Sequence, residues 1–260
     1  MNEYQEKLLK LVQIQNKIKH IHPIFKDSYP VTVVCNDVFE IYDFVPDKDR
    51  YELFKTEPCL FPVPKGIRAA FPLECYDKKV CAVVSGDAFD SLDGYVATLH
   101  EFVHCAQANE CEAQLKDGLT IFRKYLKKND YMWELNHPFP YSDPAFVELF
   151  MRYFGALETS DYLKVTSLRQ QLKAVLSATD LEYLLWQEWK EGLARFVENK
   201  VNRYLNLEEN HYGLHVPFSR VSFYESGSLL ISLLEDNGIC DTNDIEGLFY
   251  KMKEQVFLPE

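Results

Sequence analysis

Residues 79–107 read KVCAVVSGDAFDSLDGYVATLHEFVHCAQ, and this stretch decides how the rest of the chain is read. Its first seven residues, Lys79 to Ser85, form a short apolar run rich in valine, which predicts a buried strand. Gly86-Asp87 then breaks the run. Ser91 carries a side-chain oxygen suited to capping a helix, and the residues from there to beyond Ala106 are mostly uncharged. Within that predicted helix His100 and His104 lie four apart, so both imidazoles occupy one face, one turn from each other. Two neutral imidazoles at this separation can bind one zinc ion through their ring nitrogens. Glu101 follows the first histidine, where its carboxylate can reach a water in the open coordination position and take its proton. Two histidines on so apolar a helix are costly without partners, which weighs against their merely satisfying each other.

Outward from this stretch the character of the chain differs on the two sides. Upstream, residues 3 to about 19 carry Leu8, Leu11, Ile14 and Ile18 on one helical stripe. Val31 to Cys35 (VTVVC) reads as a buried strand, and Val38 to Phe44 as a strand or the start of a helix. Pro58 to Pro72, with four prolines and a glycine, reads as mostly loop. Downstream, helices are expected over 110–127, Pro144–Leu157, Asp161–Leu176, Leu181 to about Leu205, Val221–Glu235 and shortly after Asp244. Strands early and helices late predict an α+β fold: a small N-terminal mixed sheet with the His100 helix, about 1–108, and a mainly helical lobe, about 109–260. No linker separates them, so residues 1–260 are expected to act as one catalytic unit.

Composition narrows the classes of function. With 40 acids against 28 bases the net charge is −12, which disfavours a phosphate backbone as partner and so argues against nucleic acid. The amphipathic N-terminus does not read as a secretory leader, and no run of about 18 apolar residues predicts a membrane span. The seven cysteines, odd in number and without a C-x-x-C pair, read as reduced thiols of a cytoplasmic protein.

A catalytic zinc wants three protein ligands and an open position. Gln107 and Glu110 stand where an extended version of the histidine motif would place Gly and His, so the third ligand is sought elsewhere. The segment Trp189-Lys190-Glu191-Gly192-Leu193-Ala194-Arg195-Phe196-Val197-Glu198 is the best source. Glu191 sits on an amphipathic helix, and the small residues Gly192 and Ala194 would let that helix lie close to the metal-bearing one. Glu198, two turns on, is placed to orient a histidine ligand. The competing reading is a solvated face with Glu191 paired to Arg195; Glu188 and Glu198 are the next acids in line.

H-E-x-x-H followed by E-G-x-A-x-[YF]-x-E resembles the gluzincin metallopeptidases, and within them the peptidase MA-like group that includes the membrane alanyl aminopeptidase family. The resemblance implies a zincin-like fold, one zinc per chain and Glu191 as the third ligand. Phe223-Tyr224-Glu225-Ser226-Gly227-Ser228-Leu229-Leu230 resembles the Y-E-K-G segment of that family, which implies that the Tyr224 hydroxyl stabilises the oxyanion. Arg220, four residues earlier on the same face, is a weaker candidate, and His211 and His215 read as loop histidines. The resemblance covers these motifs and not the chain. Between His104 and Glu191 lie 86 residues, far more than in the aminopeptidases. Their Gly-x-Met-Glu-Asn signature is absent, and Arg195 stands where a thermolysin-like Asp would be. The Lys79–Ser85 strand is instead expected to pair with an extended peptide by edge addition. The expectation is therefore a cytoplasmic zinc peptidase acting on a peptide or protein. The alternatives are a zinc hydrolase of a non-peptide amide or ester, and a non-catalytic zincin-fold protein that binds a metal or a partner.

Overall fold

A computed structural model describes residues 3–59 and 62–255. The fold is α+β, and the chain divides into two compact units. The first comprises residues 1–109 and 197–209, and the second 110–196 and 210–260. The return of 197–209 to the first unit was not anticipated, because it depends on which unit the end of a continuous helix packs with.

The first unit begins with α1 (Glu3–Ile18), whose stripe of Leu8, Leu11, Val12, Ile14 and Ile18 is buried. Five strands follow: β1 (Val31–Cys35), β2 (Val38–Val45), β3 (Arg50–Pro58), β4 (Arg68–Leu73) and β5 (Lys79–Ser85). They form one mixed sheet in the order β3-β2-β1-β5-β4. β1 and β5 are parallel, and the remaining pairs are antiparallel. The period of two decides what each face buries. Cys81 and Val83 join Phe39, Ile41, Leu73 and Tyr76 in one cluster. Their neighbours Ala82 and Val84, on the other face, are buried as well.

One expectation fails in this sheet, and two strands were not foreseen. In the Pro58–Pro72 stretch residues 59 and 62–67 are loop, as expected, and β4 takes the last five residues, which the sequence reading did not separate; residues 60 and 61 lie outside the described residues. Pro72 is tolerated since β4 is an edge strand with one side lacking a ladder partner. β3, the other edge, was missed because its alternating charges hide the strand pattern. The Lys79–Ser85 strand cannot add an extended peptide at its edge, because β1 and β4 flank it on both sides.

After β5 comes α2 (Leu92–Gln107), packed on β4 and β5. Ser91 caps it, accepting a hydrogen bond from the Gly94 amide at 3.1 Å. Gly94 is required here, since a Cβ at this position would run into the carbonyl of Ala88. A single π-helical turn, Ala108–Glu112, follows α2.

The second unit is helical: α3 (Ala113–Asp117), α4 (Thr120–Leu126), α5 (Trp133–Asn136), α6 (Pro144–Glu158), α7 (Tyr162–Val175), the first part of α8 (Ala178–Tyr204), α9 (Arg220–Asp236) and α10 (Ile245–Glu254). Pro144 opens α6 behind the Asp143 cap, as a first-turn proline should. An aromatic core gathers Phe139, Phe146, Phe150, Phe218 and Phe223, with ring centroids 4.9–6.4 Å apart. No disulfide forms among the described residues, and no helix is long and apolar enough to cross a membrane.

Candidate metal centre

Helix α2 carries His100 and His104 on one face, with ring centroids 5.0 Å apart. Each ring is held through Nδ1. His100 Nδ1 lies 2.7 Å from Glu198 Oε2, and His104 Nδ1 lies 2.9 Å from Gln107 Oε1. A carboxylate or an amide oxygen only accepts, so in a neutral ring engaged this way the proton sits on Nδ1 and Nε2 is left with the lone pair. This is how metal-binding histidines are prepared: a neighbour fixes the tautomer and aims the opposite nitrogen. The setting is dry, with Glu101, His104 and Gln107 buried and only 12% of the His100 side chain exposed.

Glu198 stands on α8, two turns after Glu191 on nearly the same face. Ligand atoms of His100, His104 and Glu191 all lie within 4.8 Å of one another. Glu198 lies against His100 within the first unit. Two histidine nitrogens and a carboxylate are a donor set that suits zinc.

The position of Glu191 follows from a close helix crossing. A Cβ on Gly192 would lie 2.6 Å from the Gly227 Cα of α9, and one on Gly227 would overlap the Glu188 carbonyl. The small residue at 192 thus admits α9, and not the histidine-bearing helix as expected; small residues show where a backbone can approach without specifying which backbone it will be. The crossing sets Tyr224, one turn before Gly227, beside Glu191. Burial and the adjacent Glu191 carboxylate both push the Tyr224 phenol above its usual range. The guanidinium carbons of Arg195 and Arg220 lie 5.9 and 5.5 Å from the centroid of the same ring.

Neighbouring groups have structural duties. Arg195 donates to the carbonyl oxygens of Asn210 at 3.1 Å and Tyr212 at 3.3 Å, and lies 3.6 Å from Glu225. His211 pairs with Glu225 at 2.8 Å, and burial raises the Glu225 carboxyl against the pull of His211 and Arg195. His215 is exposed. Glu188, next in line as a ligand, is fully buried and engaged by Arg169 at 2.6 Å and Ser226 at 2.8 Å. Lys190 stands between Glu112 at 3.1 Å and Glu134 at 3.0 Å. Burial disfavours its charge, but these two carboxylates overcome that and raise its pKa.

Gln107 was missed by the sequence reading, which used it only to dismiss a longer metal motif. The available signal was its spacing, three residues after His104 on one helix. No protein-family model, curated protein or solved structure matches this chain.

Proposed function

We propose that this chain is a zinc-dependent peptidase of the gluzincin type with a zincin-like fold, in which residues 1–260 act as one catalytic unit. One observation supports the reading: two histidines each engaged at Nδ1, and a carboxylate whose ligand atom lies within 4.8 Å of theirs. His100, His104 and Glu191 would hold one zinc ion, and Glu198 and Gln107 orient the two rings. When bound, zinc supplies a positive charge that acidifies water and polarises a carbonyl.

The chain's own groups do the rest. Glu101 follows His100 on α2 and is buried, and a carboxylate placed next to a metal-bound water can act as its general base. It takes a proton from the attacking water and later gives it to the leaving amine. The phenol of Tyr224 is protonated at neutral pH and donates to the oxygen on which charge develops. The anionic surface, net −12, leaves nucleic acid an unsuitable partner, and a peptide or protein is the substrate.

Elemental analysis of untagged protein tests the ligand set. Wild type should carry about one zinc per chain, as a three-ligand site requires. Glu191→Ala should carry much less, and full retention would remove Glu191 from the set. A peptide-library screen of the zinc-loaded enzyme tests the activity: Glu101→Gln should keep its zinc and lose turnover by about 10³-fold. Wild-type turnover in that variant would sink the assignment of the base.

A further inference from the structure

Three arginines among the buried or half-buried ones answer a carboxylate. Arg68 pairs with Asp87 at 3.0 Å, Arg169 with Glu188 at 2.6 Å and Arg195 with Glu225 at 3.6 Å. Arg220 differs. It is half-buried, and no carboxylate among the described residues lies within ion-pair distance of it. The ring it lies over is the Tyr224 phenol, whose hydroxyl meets Glu191. The guanidinium sits 5.5 Å from the centroid of Tyr224, and its charge reaches Tyr141 and Tyr183. A cation–π contact recovers only part of what partial burial of a guanidinium costs. In a chain with 40 acids against 28 bases, a half-buried cation without an acid is uncommon provision. A guanidinium also has the planar fork that binds a carboxylate through two parallel hydrogen bonds.

We infer that Arg220 is a specificity-determining residue whose guanidinium binds a carboxylate of the peptide substrate. The inference rests on the peptidase reading and names its substrate class: peptides with a negative charge close to the bond that is cut. Arg220 and Tyr224 are four apart on α9, one turn along the same face. That separation is about 5–6 Å, against about 3.3 Å per residue of extended peptide. The recognised carboxylate therefore falls within one or two residues of the scissile bond. A free C-terminal carboxylate and an acidic side chain offer the same two oxygens, and the test distinguishes them.

The experiment is equilibrium binding to the zinc-loaded protein, followed by calorimetry, so it needs no turnover. The probes are N-acetylated tripeptides with a reduced, non-cleavable amide, in three forms: free C-terminal acid, C-terminal amide, and C-terminal amide with one Glu side chain. Wild type should bind a charged form about 10-fold or more tighter than the neutral amide. Arg220→Gln should erase that preference while leaving the neutral form within about twofold, and Arg220→Lys should restore part of it. Preference for the free acid identifies the C-terminus, and preference for the Glu form an acidic side chain. Equal binding of charged and neutral probes to wild type, or a preference that survives Arg220→Gln, overturns the inference. Failure of the peptidase reading shows separately, as a zinc-loaded protein that cleaves no peptide in the library.

Discussion

Glu188 and Glu191 lie three residues apart on α8, and the fold treats their carboxylates in opposite ways. Glu188 is inside a closed network: Arg169 at 2.6 Å, Ser226 at 2.8 Å and Tyr153 at 3.3 Å meet it, and it exposes no surface. Lys190 repeats the pattern one step on, matched by Glu112 and Glu134, with Lys116 completing the group. Glu191 has the Tyr224 phenol beside it, and its ligand atom lies within 4.8 Å of those of His100 and His104. Glu188 and Lys190 are matched by opposite charge within the protein, whereas the proposed function reserves Glu191 for a metal ion.

Removing one carboxylate from each set separates them most sharply. Glu188→Ala leaves Arg169 buried and uncompensated, which should cost about 3–5 kcal/mol of unfolding free energy. Urea denaturation of metal-free protein measures this, and Glu191→Ala under the same conditions should lose less than about 1 kcal/mol. Similar losses in the two variants would erase the distinction.

Acid sharpens the comparison from the structural side. Burial opposes the charge of Glu134, but Lys190 and Lys116 overcome it and pull its carboxyl down to about 2, from an ordinary 4.5. Because the folded pKa lies below the unfolded one, the stabilisation is full above about 4.5 and is lost as pH falls toward 2. Between pH 6 and pH 3 wild type should therefore lose more stability than Glu134→Gln. The whole effect down to pH 2 is on the order of 2 to 3 kcal/mol. Parallel acid profiles of the two proteins would show that the lysines do not hold Glu134 ionised.

The smallest effect belongs to the orienting groups. Glu198→Gln keeps an acceptor for His100 but removes its charge, and should weaken zinc about 10-fold with little change in metal-free stability. Competition with a chromophoric chelator measures the affinity. An unchanged value would make the His100–Glu198 pair, 2.7 Å apart, a contact without influence on the metal.

The legible parts of the molecule share a property: they depend on neighbours close in sequence. The α2 helix with its Ser91 cap, the β1 and β5 runs and the ends of α6, α7 and α9 were all readable, since capping and periodicity act within a few residues. His100 and His104 needed only the pitch of a helix. Singling out Glu191 needed a spacing resemblance as well, because glutamates are common on helix surfaces and nothing local sets one apart. β3 and β4 were not legible, since edge strands are defined by which strand lies beside them and may carry charge or proline without penalty.

By itself the sequence determined the α+β succession, the histidine pair on one face of a helix, and a glutamate with a small residue after it. These follow from rules of chain geometry that hold for any context. Tertiary structure alone decided that Gly192 meets Gly227, that Glu188 is locked while Glu191 meets Tyr224, that Gln107 contacts His104, and that Arg220 lies over the Tyr224 ring. Each is a question of which distant side chain arrives at a given carboxylate or cation. The energy of a charge is set by what surrounds it in space, and the order of residues along the chain does not contain that information locally.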